Sequence, residues 1–344
     1  MARIAIAGAG LAGRLFAWAL SRAGHEVSVL DPAPGPAPTF DGQGAAAFTA
    51  AGMLSPLAEQ EGGDPALVPL GLASLALWPA IVARLPAPVR FQAQGSLLLA
   101  HGSDGGAAAR ALARMPGAEA LDAQALAALE PALSPGLRGW LLPGEGLIHP
   151  VEAMAALHAG SVGVRWRWGE RVAEVGPGVL HLPSGEVLRC DWAIDTRGLG
   201  ARPTLPLRGV RGEVVLLDLP GHGLGRPLRL LHPRHRVYLV PRSERELLLG
   251  ASEIESEDRS PVSLRSAVEL MAAAHSMLPA LAEARISRLD RNLRPALPDN
   301  RPAATVAPAL MQLNGLYRHG WLLAPALVQN LLAETGLASL EPPP

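Results

Sequence analysis

The chain opens with RIAIAGAGLAGRLFAWALSRAGHEVSVLD, residues 3–31, and no other stretch restricts the fold so tightly. Arg3 to Ala7 is a short apolar run, Leu11 to Ala23 repeats apolar residues at helical spacing, and Glu26 to Leu30 is a second strand ending at Asp31. Strand, turn, helix and strand in so few residues make a parallel βαβ unit and an α/β fold. The turn is Gly8-x-Gly10-x-x-Gly13. One glycine makes the turn, one lets backbone approach a pyrophosphate, and one lets the helix pack closely on the strand. The N–H groups of the helix start, with Leu11 and Ala12 on it, favour phosphate charge. Asp31 is placed to accept hydrogen bonds from a ribose diol. A plain buried βαβ unit is the competing reading of the same residues.

Composition narrows the field. A length of 344 residues fits one large or two interleaved domains. Formal charge is −1 and mean hydropathy +0.20, so bulk electrostatics point to neither nucleic acid nor a membrane surface. No apolar run reaches the roughly 18 residues of a membrane span, and the amino terminus reads as a buried strand rather than a cleavable signal; a cytoplasmic location is expected. The single Cys190 forbids an internal disulfide and anchors no metal site. All 30 Lys and Arg residues are arginine, which excludes a Schiff-base lysine and a phosphate-loop lysine.

Farther along, a proline and glycine loop over 32–44 precedes the small-residue string AAAFTAAGMLSP. The pattern predicts a helix over 65–85, a strand at FQAQGSLLLAH, two short alanine-rich helices over 104–131, and strand, turn and helix over 139–160 with Pro150 near the helix start. GVRWRWGERVAEV and DWAIDTRGLGAR read as strands returning to the first sheet, 208–250 is dominated by strands, and Ser263 caps a helix running toward Leu281. A last helix is expected over Ala326–Leu332, introduced by Pro325. Two interleaved domains fit this order better than two consecutive ones.

Several separated stretches together resemble the FAD-dependent D-amino-acid oxidase superfamily, most closely the glycine oxidases of thiamine biosynthesis: GAGLAG with Asp31, TAAGMLSPLAE, GLIHPVEAMAAL, DWAIDTRGLGA, GVRGEVVLL, VYLVPR, LLLGASEIE, NLRPALPDNRP and LYRHGWLLAPA. They run in family order from end to end. The resemblance implies a Rossmann-like FAD-binding domain of 1–80, 141–205 and 290–344, interleaved with an antiparallel-sheet substrate domain of 81–140 and 206–289. It implies noncovalent FAD, a small amino-acid substrate oxidised to the imine, oxygen as the acceptor with peroxide formed, no metal, and assembly as a homo-oligomer.

Roles follow from the same resemblance. Arg294 in LRP matches the arginine that grips the substrate carboxylate, and a planar guanidinium suits that task. Tyr238 matches a tyrosine on the same carboxylate, and Arg318 an arginine at the edge shared by flavin and substrate. Thr49, Ala50 and Ala51 are expected along the pyrophosphate and ribityl chain, and Gly52 and Met53 over the flavin ring beside the substrate. Val172 is expected at the adenine, with Thr196, Arg197 and Gly198 at a second strand end. The backbone of His319, Gly320, Trp321, Leu322 and Leu323 is expected at the flavin's pyrimidine ring. Two positions depart from the pattern: Arg236 replaces a histidine, and Glu253 replaces an apolar residue near the substrate. His149 and His319 tempt as bases, yet hydride transfer from a neutral amine needs none. A dehydrogenase passing electrons to another acceptor, a nicotinamide-dependent dehydrogenase and a non-catalytic FAD protein stand as alternatives.

Overall fold

This computed structural model describes residues 1–61, 64–231 and 236–341, with Arg236 represented by its backbone alone. Arg3–Ala7 and Glu26–Asp31 pair in parallel, from Arg3 opposite Glu26 to Ala7 opposite Leu30, and the helix Leu11–Arg22 connects them. Ile4, Ile6, Val27 and Val29 face one buried cluster, while Ala5, Ala7 and Leu30 face another. Both faces being covered explains why these strands are continuously apolar instead of alternating.

The unit grows into a six-stranded sheet in the order Ala303–Ala307, Leu310–Asn314, Trp192–Asp195, Arg3–Ala7, Glu26–Asp31, Arg165–Trp168. Every pairing is parallel except the hairpin of the first two strands. An open parallel sheet gathers its carboxyl ends on one edge, where ligands bind. Here that edge carries Ala7, Asp31, Asp195 and Asn314.

A second sheet of eight strands runs Arg285–Ala296, Arg208–Asp218, Glu246–Gly250, Arg236–Pro241, Leu228–Leu231, Ser96–Ala100, Arg138–Leu142, Glu119–Leu121. Only Leu228–Leu231 beside Ser96–Ala100 is parallel. One face packs Leu97, Val215, Leu239 and Leu249 against Leu270, Ala274 and Met277 of the helix Leu264–Met277, whose cap Ser263 accepts from Ser266 N–H. The other face turns toward the cavity described below. The two sheets draw on alternating segments of the chain, so the molecule is a mixed α/β fold with interleaved layers. Arg285–Ala296 stays paired with Arg208–Asp218 as far as Ala296, which puts 290–296 on the eight-stranded sheet.

The last helix departs from its sequence reading. It spans Gly320–Thr335 and contains Pro325 in its interior. A proline there lacks the N–H that would reach the Trp321 carbonyl. That carbonyl accepts instead from Trp78 Nε1 at 3.1 Å, and the next N–H, of Ala326, donates to Ser74 Oγ at 3.0 Å. Both partners lie on the helix Leu67–Ala83, so a neighbouring helix satisfies the backbone groups the proline disturbs.

Candidate active site

A cavity of about 740 Å³ runs from the glycine turn to the open face of the eight-stranded sheet. At the turn, a Cβ on Gly13 would stand 1.9 Å from the Gly8 carbonyl oxygen and 2.9 Å from Thr196 Oγ1. Only glycine allows the helix to lie that close. The helix starts from Gly10 without a side-chain cap, so the N–H groups of its first turn have no partner within the helix, and Gly10, Leu11 and Ala12 line the cavity. Asp31 accepts from Ala9 N–H at 2.6 Å and Ala33 N–H at 2.8 Å. Each carboxylate oxygen keeps a second lone pair for a ribose hydroxyl. A close-approach glycine, uncapped helix N–H groups and a strand-end carboxylate fit the pyrophosphate and ribose of FAD.

Around this cradle the chain is tied down by arginines. Arg197 pairs with Asp195 at 2.8 Å and donates to the carbonyls of Val172 and Ala173 at 3.2 and 2.8 Å. Gly198 N–H donates to Asn314 Oδ1 at 2.8 Å, joining two strand ends. Arg14 is fully buried and donates to the carbonyls of Ala9, Met154 and Pro36 at 2.9, 2.8 and 2.8 Å. Burial lowers its guanidinium to about 10, with Asp31 opposing the shift. Thr49, Ala50, Ala51, Gly52 and Met53 form one wall. Gly52 has φ +75°, and a Cβ there would meet the Ile148 carbonyl oxygen at 2.0 Å. Buried Arg242 donates to the Ala50 carbonyl at 2.7 Å.

The far end rests on the sheet. A Cβ on Gly250 would stand 2.5 Å from the Tyr238 hydroxyl, and one on Gly212 would stand 2.4 Å from Arg294 Cζ. Tyr238 and Arg294 therefore lie over bare backbone on neighbouring strands. Arg294 donates to the carbonyls of Ser252 at 3.1 Å and Arg211 at 3.4 Å and has no carboxylate partner among the described residues. Beneath it, Arg211 pairs with buried Glu213 at 2.6 Å, and Ser252 Oγ donates to Glu213 at 3.1 Å. Burial pushes the Tyr238 phenol up, while Arg294, Arg242 and Arg229 pull it down. Arg318, by contrast, is neutralised by Glu59 at 2.8 Å and Glu253 at 3.4 Å, and Tyr317 donates to Glu253 at 2.7 Å.

Most of the expected residues meet in this cavity: Gly8, Asp31, Thr49 to Met53, Val172, Thr196 to Gly198, Tyr238, Glu253, Arg294, Arg318, Gly320 and Trp321 are all in its lining. Gly13, His319, Leu322 and Leu323 are not. Gly13 packs the helix on its strand, and His319 is buried 3.5 Å from Glu59. Leu322 and Leu323 belong to the core, and Leu323 N–H is already donated to the His319 carbonyl. His149 caps the helix Pro150–Gly160 instead of facing the cavity. The Arg236 side chain lies outside the described residues. Arg14 and Arg229 stand in no motif, whereas Glu59, Arg242 and Tyr317 stand inside TAAGMLSPLAE, VYLVPR and LYRHGWLLAPA with no role implied for them there. No helix is long and apolar enough to cross a membrane, and no metal-binding cluster exists among the described residues.

A nucleotide cradle opening directly onto a cationic pocket defines a flavin-dependent oxidoreductase. Residues 3–334 match the FAD dependent oxidoreductase family, and the chain belongs to it. More particularly, it is 39% identical over 340 residues to a protein of Rhizobium etli described as the thiamine biosynthesis oxidoreductase ThiO, covering 97% of this chain and 98% of that one. The glycine oxidase structure of Geobacillus kaustophilus superposes with a TM-score of 0.82 at 26% identity, over 97% and 94% of the two chains. The glycine oxidase of Bacillus cereus shares the fold at a TM-score of 0.83 and 20% identity, over 98% of each.

Proposed function

We propose that this flavoenzyme oxidises the carbon–nitrogen bond of glycine or another small amino acid to the imine, with oxygen as the acceptor and hydrogen peroxide as the second product, in support of thiazole assembly for thiamine. The observation that carries the reading is the pairing of Arg294 with Tyr238 over a glycine floor, at the open end of a nucleotide cradle. A guanidinium without a carboxylate partner, beside a phenol, suits an amino-acid carboxylate held by charge-assisted hydrogen bonds. The likeness to ThiO and to glycine oxidases supports the same substrate class.

Bound FAD supplies the two-electron acceptor for the substrate's α-hydrogen, transferred as hydride, while the amine nitrogen loses a proton as the imine forms. The chain's own residues orient and exclude water. Arg294 and Tyr238 anchor the carboxylate, so the α-carbon is presented to the wall of Gly52 and Met53. The start of the last helix, Gly320 and Trp321, directs its positive end to where negative charge gathers. Tyr317, Glu253, Arg318 and Glu59 form a hydrogen-bonded rim beside them.

Anaerobic addition of glycine or sarcosine to the flavin-loaded protein is expected to bleach the visible flavin bands, and air to restore them with one peroxide per turnover. Failure of every amino acid tried to bleach the flavin would sink the reading. Bleaching without peroxide in air would move the acceptor away from oxygen.

A further inference from the structure

The cavity face of the eight-stranded sheet carries one row of directly opposed residues: Val214, Gly250, Tyr238, Arg229 and Leu98. Opposed residues on adjacent strands share a face, and Val214, Tyr238, Arg229 and Leu98 all line the cavity. Tyr238 leans over Gly250, toward the strand whose Gly212 lies under Arg294. Arg229 lies on the opposite side of the tyrosine. The phenol is thus flanked by two arginines.

Arg229 differs from its neighbours in having nothing to hold. Among the described residues it makes no hydrogen bond and no ion pair, and its Nε is buried without an acceptor. Its charge acts on fully buried Glu145. That carboxyl accepts from Ala58 N–H and Ser96 Oγ; burial pushes it up, and the Arg229 charge pulls it part of the way back. Glu145 and Arg229 make no hydrogen bond and no ion pair with each other. A guanidinium cannot shed its proton to escape an apolar wall. The wall here includes Leu98 and Met115. An unpaired fork of this kind is complementary to a carboxylate arriving with a ligand.

Resting on the amino-acid oxidase reading, we infer that Arg229 receives a second carboxylate of the substrate, so that this enzyme prefers a dicarboxylic amine, one carboxylate on Arg294 and Tyr238 and the other on Arg229. Three strand spacings and a two-residue offset along the strand separate Gly212 from Arg229, about 16 Å at the backbone. Both arginines line the same cavity, one on either side of Tyr238. The second carboxylate can belong to the amino acid's side chain or to a substituent on its nitrogen. Both offer the same anion to Arg229.

The test begins with inert ligands on the flavin-loaded enzyme, followed by perturbation of the flavin spectrum. Malonate and succinate are expected to bind at least tenfold more tightly than acetate and propionate. Arg229→Gln should collapse that difference by weakening the diacids, and Arg229→Lys should keep part of it. Equal affinities in the wild type, or a preference that survives Arg229→Gln, would overturn the inference. Anaerobic bleaching by D-aspartate, iminodiacetate and glycine then locates the second carboxylate: whichever diacid has the higher second-order rate constant for flavin reduction marks side chain or nitrogen. Should glycine exceed both, the inference fails and the oxidase reading stands. Should none bleach the flavin while the diacid preference persists, the two-cation site stands and the oxidase reading fails.

Discussion

Arg294 is held by carbonyls alone, which leaves its charge for a ligand. Replacing it with alanine is expected to weaken amino-acid binding by about 2–5 kcal/mol while leaving flavin content unchanged; spectral titration with the substrate and the flavin-to-protein absorbance ratio check both parts. Tyr238→Phe removes one hydrogen bond and is expected to cost on the order of 1 kcal/mol in the same titration. The sequence exposed these two residues because each stands in a distinctive string. Arg229 stands in a string of leucine and arginine that resembles any strand, and Arg242 ends the string of Tyr238 without a signal of its own; only the fold reveals that one is unpaired in a cavity and the other is buried and bonded to the Ala50 carbonyl. A chain whose positive charge is all arginine offers no compositional contrast to separate a working guanidinium from a solvated one.

At the scale of elements, the glycine turn and the last helix behave differently. Gly13→Ala would force a Cβ to 1.9 Å from the Gly8 oxygen, so the helix must lift from its strand. The purified variant is expected to come out colourless and to resist reconstitution with FAD. The opening unit was legible because strand, turn and helix obey local rules that need no partner. The last helix was not legible to its full length, because Pro325 is a local stop signal that only a distant helix overrules. Ser74→Ala would leave the Ala326 N–H buried without an acceptor and is expected to cost roughly 1–3 kcal/mol, read as a lower midpoint in denaturant. Glycine oxidation by the surviving folded fraction should be little changed, since Ser74 does not line the cavity.

For the whole molecule, acid is the exposed flank. His149, His158 and His222 are each lowered below the ordinary 6.5, chiefly by burial, with arginine charges adding to the shift. A group depressed in the folded state contributes stability that is present above its unfolded value and lost as pH falls through the folded one. Thermal midpoints are expected to decline as pH drops below 6.5, with a shallower decline in His158→Phe, because His158 lies against Trp166 at 4.6 Å and beside Arg14. An unchanged slope would remove His158 from the account. The interleaving of two sheets was readable from the order of strand signals, whereas the continuation of Arg285–Ala296 on the eight-stranded sheet depends on pairing at a distance that no local pattern encodes. The bare backbone at Gly212 and Gly250 carries a lesson for redesign. Because the floor has no side chains, it offers nothing to vary, and a library confined to Leu98, Arg229 and Glu253 can retune which substrate is accepted while the anchoring surface stays constant.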